Sequence, residues 1–183
     1  MWTDASGTTG QGAFFTDPGA SHSLVSWQHA FSKPLSRHHC QKDINFKEMH
    51  IVLLAIQRWL LYFGLYELVI FTDNTTVYHG LRRHSVQGPA MDPFRKITYL
   101  AALHNIDIHA QWIPTHENTL ADLLSRRDFT KLANQLPLLT QEPNTRQSHA
   151  TLTSASLALQ PATSSGASVQ IPDKHTKQPA IAM

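Results

Sequence analysis

The sequence has one cysteine, Cys40, in 183 residues. A disulfide framework and a cysteine-built zinc site are both excluded, and the reduced interior of a cell is the expected setting. Charged residues make up only 15% while hydrophobic ones reach 42%, which argues against a chain held open by its own charge and permits a buried core. Long apolar runs are missing too. The best, Ile51 to Phe63, is broken by Gln57 and Arg58 and falls short of the roughly 18 residues that a membrane span needs. The N-terminus lacks the charged-then-apolar layout of a signal peptide. Aromatic residues stop before Pro137; beyond it the chain is of the type TLTSASLALQPATSSGASVQ. That composition buries too little apolar surface to offset its ordering entropy. The reading is a packed domain over 1–136 and a linker or disordered tail over 137–183.

A net charge of +2 and a pI near 8.8 point only weakly to nucleic acid. The twelve histidines show no His-x-x-x-His pair or similar metal-ligand spacing.

Within the domain, Trp2 to Ser6 reads as a short strand, and Gly7, Gly10 and Gly12 supply turn and close-approach positions before a second strand at Ala13 to Thr16. Asp17-Pro18-Gly19 is a turn signal, and the alternation from Ser23 to Phe31 predicts a third strand. The 3.6 periodicity predicts a helix from Asn45 to Phe63, ended by Gly64, with Lys47, His50, Gln57 and Arg58 on its polar side. Leu68-Val69-Ile70-Phe71 marks a fourth strand, from Glu67 to Thr72, buried on both faces. Helices are expected at Thr75 to Arg82 and Pro93 to His104, a fifth strand at Ile106 to Ile113 and a last helix from Asn118 to Arg126. This order predicts an α/β fold, a mixed sheet with helices packed on it.

Four carboxylates fall at telling places in this layout. Asp4 is in mid-strand, where Asp is disfavoured and a buried charge is costly unless paired. Glu48, in the first turn of the long helix, shares the stripe of Val52, Ala55 and Trp59. Asp73 closes the fourth strand at its carboxyl end, where open α/β sheets bind ligands. Asp122 lies in the first turn of the last helix, four residues after its expected cap, Asn118. Singly, Asp73 also fits a helix cap, and Glu48 and Asp122 fit favourable positions in a helix dipole. Together they fit oxygen ligands for two Mg²⁺ ions, or Mn²⁺, which about 4 Å apart support in-line phosphodiester displacement.

TDAS, GQGAFF, INFKEMHIVLLAI, LVIFTDNTTV and WIPTHENTLADLLSR occur in that order. Over roughly Met1 to Pro137 the chain resembles the ribonuclease H domain of retroelements of the DIRS-like and Gypsy-like kind. The resemblance implies a five-stranded mixed sheet of order 3-2-1-4-5, and Asp4, Glu48, Asp73 and Asp122 as catalytic metal ligands. It implies His116, in PTHEN, as a mobile proton-shuttling residue, with a surface-loop histidine as the equal alternative. It implies hydrolysis of the RNA strand of an RNA–DNA hybrid, leaving 5′-phosphate and 3′-hydroxyl ends. The parent polyprotein would carry a reverse transcriptase upstream.

Candidate substrate contacts are Arg82 and Arg83, the basic stretch Lys33 to Lys42, and Ser6 and Asn74 beside the site aspartates. The sequence starts three residues before Asp4, where the family's first strand is longer, and weakened strand pairing is the expected consequence. The alternative function is therefore an inactive retroelement remnant that folds and binds nucleic acid without cutting it. A third reading, a DNA nuclease or transposase on the same fold, fits the TDAS, TDN and ADLLSR set less well.

Overall fold

The computed structural model describes residues 1–135 apart from 18, 23, 24, 27 and 64–66. The reading of 137–183 as a tail, and of Gly64 as a helix stop, lies outside the described residues.

In chain order the elements are β1 (Trp2–Ala5), β2 (Gly10–Phe14), β3 (Ala30–Pro34), α1 (Arg37–Cys40), α2 (Ile44–Arg58), α3 (Leu60–Phe63), β4 (Glu67–Thr72), α4 (Thr75–Arg83), α5 (Met91–His104), β5 (Asp107–Trp112), α6 (Thr119–Arg126) and α7 (Phe129–Gln135). The five strands form one sheet in the order β3-β2-β1-β4-β5, as the resemblance implied. β1, β2 and β3 pair antiparallel, while β4 runs parallel to both β1 and β5. The first strand is tied unevenly: all four of its residues pair with β2, but only Trp2 has a ladder partner, Phe71, in β4. A bond from Phe71 N–H to Met1 O at 2.8 Å extends that edge.

Alternation along the strands divides the core between the two faces of the sheet. On one face α2, α4 and α5 bury Met49, Ile56, Ile70 and Ile97 against Ala5 and Ala13. On the other, α6 and α7 bury Leu124 and Leu132 against Phe14 and Ala30. No helix among the described residues is long and apolar enough to cross a membrane.

Several expectations need correction. The second strand starts at Gly10, three residues earlier than its branched and aromatic residues suggest, because Ala5↔Gln11 and Asp4↔Gly12 pairing extends the hairpin into the glycines. The third strand is Ala30–Pro34 and not Ser23 to Phe31; the register Phe14↔Ala30 decides where pairing begins. Its end, Lys33 and Pro34, lies on the sheet edge, where both residues discourage further pairing. The long helix is capped by Asp43, whose carboxylate accepts from Phe46 N–H, so Glu48 sits beyond the first turn. The same helix breaks at Trp59, which is buried against Phe15, Phe31 and Phe63 with its indole N–H donated to Gln28 O at 2.9 Å.

Lys47 is the largest departure from the wheel. It is buried, and its ammonium donates to Gly7 O at 2.6 Å and Cys40 O at 3.0 Å. A periodicity argument counts Lys as polar and cannot anticipate that its tip reaches two carbonyls across a turn. His50 is half-buried against Gln11 and His39, and burial pulls it down to about 4.

Candidate active site

Three elements and the segment after β4 carry the four carboxylates. Asp4 projects from β1 on the α6 side of the sheet, opposite Gly12 of β2. That glycine is a requirement of the site. A Cβ there would run into Leu124 and stand 2.5 Å from Ser125 N, so its absence lets the backbone of α6 lie against the sheet. Asp122 and Ser125 ride on α6 and are thereby brought beside Asp4, with the Ser125 hydroxyl donating to Asp122 O at 2.9 Å. Glu48 comes from α2 on the opposite face; its Oε1 accepts from Ala5 N–H at 3.1 Å, across the end of β1. Asp73 follows β4, which runs parallel to β1, so both strands end in the same direction.

Burial and mutual repulsion dominate the electrostatics. Asp4, 8% exposed, is pushed up to about 6, first by burial and then by Asp73 and Asp122, with the Ser125 hydroxyl opposing. Glu48 is raised well above the carboxylate range by burial and by the charges of Asp4 and Asp73, against the opposing Ala5 bond. Among the described residues, Glu48 Oε2 is one of three buried side-chain atoms without a hydrogen-bond partner. A buried carboxylate oxygen left bare amid other carboxylates is what a cation ligand looks like before the cation arrives.

As they stand, no three His, Cys, Asp or Glu side chains among the described residues converge into a coordination shell. The four acids share an electrostatic neighbourhood, and part of the set is occupied by other partners. Asp122 Oδ1 accepts from Arg126 Nε at 2.6 Å, an i,i+4 pair on the surface of α6. Asp73 Oδ1 accepts from Asn118 Nδ2 at 3.2 Å. The donor set is hard, oxygen-only and rich in negative charge, which suits Mg²⁺ or Mn²⁺.

Asp122 does lie in the first turn of α6, where the helix dipole favours it, whereas Asp73 is not a helix cap. The side-chain cap of α4 is Asn74, which accepts from Val77 N–H at 3.0 Å, so capping does not account for Asp73. Asn118 stands at the expected helix start yet makes no side-chain cap bond. It is buried instead, donating to Thr3 O at 3.0 Å as well as to Asp73. Sequence reading missed this role for Asn118; its only signal was an Asn four residues before a site aspartate. Asn118→Ala is expected to lower stability by about 1–3 kcal/mol, since the buried Thr3 carbonyl loses its donor. Urea unfolding checks it.

Other predicted residues lie at varied distances from the acids. Ser6 Oγ accepts from Thr8, Thr9 and Gly10 N–H and so organises the β1–β2 turn. Asn74 Nδ2 reaches Asn45 Oδ1 at 3.1 Å, tying α4 to the start of α2. Arg82 and Arg83 are exposed on the last turn of α4. His116 sits on a 3-10 turn, Thr115–Glu117, with its ring in solvent and 3.9 Å from Glu117 rather than among the carboxylates. Trp112, also unanticipated, holds the Asp73 carbonyl through its indole N–H at 3.1 Å.

Comparison with protein-family models and with curated proteins finds no match. Comparison with solved structures does. The LC11 RNase H1 in complex with an RNA/DNA hybrid aligns at 19% identity over 67% of this chain and 90% of its own, with a TM-score of 0.54. RNase H1 of the halophilic archaeon Halobacterium salinarum NRC-1 aligns at 12% over 71% and 96%, with a TM-score of 0.56. The chain has the ribonuclease H fold. The N-terminal RNase H domain of rv2228c from Mycobacterium tuberculosis, solved as a maltose-binding-protein fusion, agrees at 20% over 72% and 91%, with a TM-score of 0.54. At such identities the likeness concerns the fold alone. Within the ribonuclease H fold found here, the four carboxylates lie on β1, α2, α6 and the segment after β4.

Proposed function

We propose that this protein is a metal-dependent endoribonuclease that hydrolyses the RNA strand of RNA–DNA hybrids, and that it derives from a retroelement polyprotein with a reverse transcriptase upstream. The observation that carries the reading is that Asp4, Glu48, Asp73 and Asp122 share one electrostatic neighbourhood, in which burial and then the nearby carboxylates raise both Asp4 and Glu48. The fold likeness to an RNase H1 solved with an RNA/DNA hybrid supports the substrate class.

Asp4, Glu48, Asp73 and Asp122 would hold two divalent cations, Mg²⁺ or Mn²⁺. Bound there, such cations supply neutralisation of the charge that develops on the phosphate and activation of water. The chain's own groups do the rest. Asn118 keeps Asp73 aimed from one side. Arg126 holds the Asp122 carboxylate in position. His116 Nε2, open to solvent, would take or return a proton at the edge of the site. Arg82 and Arg83 would meet phosphates. Ser6 and Asn74, whose side chains organise the loops beside Asp4 and Asp73, would present those loops to the hybrid, which is read by shape, backbone and 2′-hydroxyl rather than by sequence.

A labelled hybrid incubated with Mg²⁺ or Mn²⁺ tests the proposal, with wild type beside Asp73→Asn. Cleavage of the RNA strand alone is expected, falling at least about 100-fold in the variant. A folded wild type that leaves the hybrid intact would favour the remnant that binds without cutting. Cleavage of duplex DNA in its place would favour the third reading.

A further inference from the structure

Beside Asp73, on the side away from α6, α4 and β5 leave a hollow of about 520 Å³ lined by Thr75, Tyr78, His79, Ala110, Gln111 and Trp112. Among the described residues, none lining it is acidic. Trp112 is 46% exposed although its indole N–H is anchored on the Asp73 carbonyl. An aromatic side chain held by its polar edge and open over much of its surface is preorganised for stacking. Tyr78 is held in turn by Arg82, whose Nη1 donates to the phenol oxygen at 2.6 Å and whose guanidinium lies over the ring. A second hollow, of about 350 Å³, continues along α4, shares Thr75 and His79, and adds Arg83, Thr76 and Gln87. Aromatic rings in one compartment and a cation with hydroxyls and amides in the next match the two halves of a nucleotide, its base and its phosphate.

We propose that this hollow stacks one unpaired nucleotide of a single strand extending from the hybrid, with Trp112 as the stacking residue and Arg83 on the phosphate. The inference rests on the hybrid substrate proposed above. Bases inside a duplex present no free faces, so the occupant is an overhang or a single-strand junction. A base is uncharged and can lie next to Asp73 without repulsion, whereas a phosphate is better placed by Arg83. The protein would therefore favour hybrid ends and junctions over the interior of a long blunt hybrid.

The test is the affinity of fluorescent hybrids measured by anisotropy in EDTA, which prevents cleavage. Blunt hybrids are compared with hybrids carrying a short RNA or a short DNA overhang. The overhang is expected to tighten wild-type binding at least about fivefold, the lower end of what one stacked base contributes. Trp112→Ala removes the gain, and Trp112→Phe, which keeps a ring but loses the bond to Asp73, retains most of it. Tyr78→Ala reduces it and serves if Trp112→Ala fails to fold. Equal binding of blunt and overhung hybrids by wild type overturns the proposal, and so does a gain that survives Trp112→Ala. A gain lost equally in Trp112→Phe assigns the effect to the Asp73 carbonyl and overturns stacking as well. A short single strand is measured alone in parallel. Trp112-dependent binding of it upholds the stacking site even when the blunt hybrid is neither bound nor cut, an outcome that sinks only the hybrid reading.

Discussion

Asp4→Asn is expected to stabilise the metal-free protein at pH 7 while abolishing hybrid cleavage. The Asp4 carboxyl is pushed from 3.8 to about 6, mainly by burial and then by Asp73 and Asp122. That difference corresponds to roughly 3 kcal/mol of disfavour for the ionised form, and an amide of the same shape escapes most of it, giving an expected gain of about 1–3 kcal/mol. Because the folded-state value is raised, the contribution of Asp4 to stability is fully present below about pH 4 and is lost as pH rises through about 6. His50 acts in the opposite sense. Burial lowers it to about 4, so its contribution is present above about pH 6.5 and disappears on acidification. The two offset each other in the wild-type profile, and only the difference between wild type and Asp4→Asn isolates the carboxyl. Glu48→Gln should move in the same direction, since burial and then Asp4 and Asp73 raise Glu48. Millimolar Mg²⁺ should raise the melting temperature of wild type and leave both variants nearly unmoved, because a ligand stabilises only the fold that binds it. Thermal melts from pH 4 to 8, with and without Mg²⁺, provide the measurement. A variant less stable than wild type at pH 7 would show that these carboxylates are held by compensating contacts and are not a strained metal site.

Gly12→Ala is expected to impair both stability and cleavage, although it adds only one methyl group and removes no polar contact. The new carbon would face Leu124 and stand 2.5 Å from Ser125 N, the latter a backbone atom that cannot rotate away. Either α6 lifts from the sheet or β2 shifts, at a cost of about 1–3 kcal/mol or more. Lifting α6 carries Asp122 and Ser125 away from Asp4, and a displacement near 1 Å in such a constellation can reduce rate by about 100-fold. Gly7→Ala is the control, because nothing lies within 4 Å of a Cβ there. Urea unfolding and cleavage, measured for both variants, decide the matter. A Gly12→Ala protein with wild-type midpoint and rate would mean that close approach of α6 is not what assembles the site.

Much of this fold is legible in the sequence alone. The four acids announced themselves through local contradictions: a carboxylate in a strand, another on an apolar helical stripe, and two at element ends. Such conflicts between residue type and position are expected at functional sites, and here they coincide with an order of elements that predicts the sheet. Lys47 was misread because periodicity records polarity at Cβ and says nothing about carbonyls its ammonium reaches. Nothing local distinguishes Trp112 within the fifth strand, yet its edge holds Asp73 and its surface opens on a hollow.

The sequence by itself determined the kinds and order of the five strands and the principal helices, since each follows from periodicity and propensity within a short window. Only the tertiary structure decided where β2 and β3 begin, that α6 approaches β2 through Gly12, that Asn118 steadies Asp73, and that Arg126 takes Asp122. Those features depend on strand register and helix-to-sheet distance, which are set by contacts between residues far apart in the chain and leave no mark on their local neighbours.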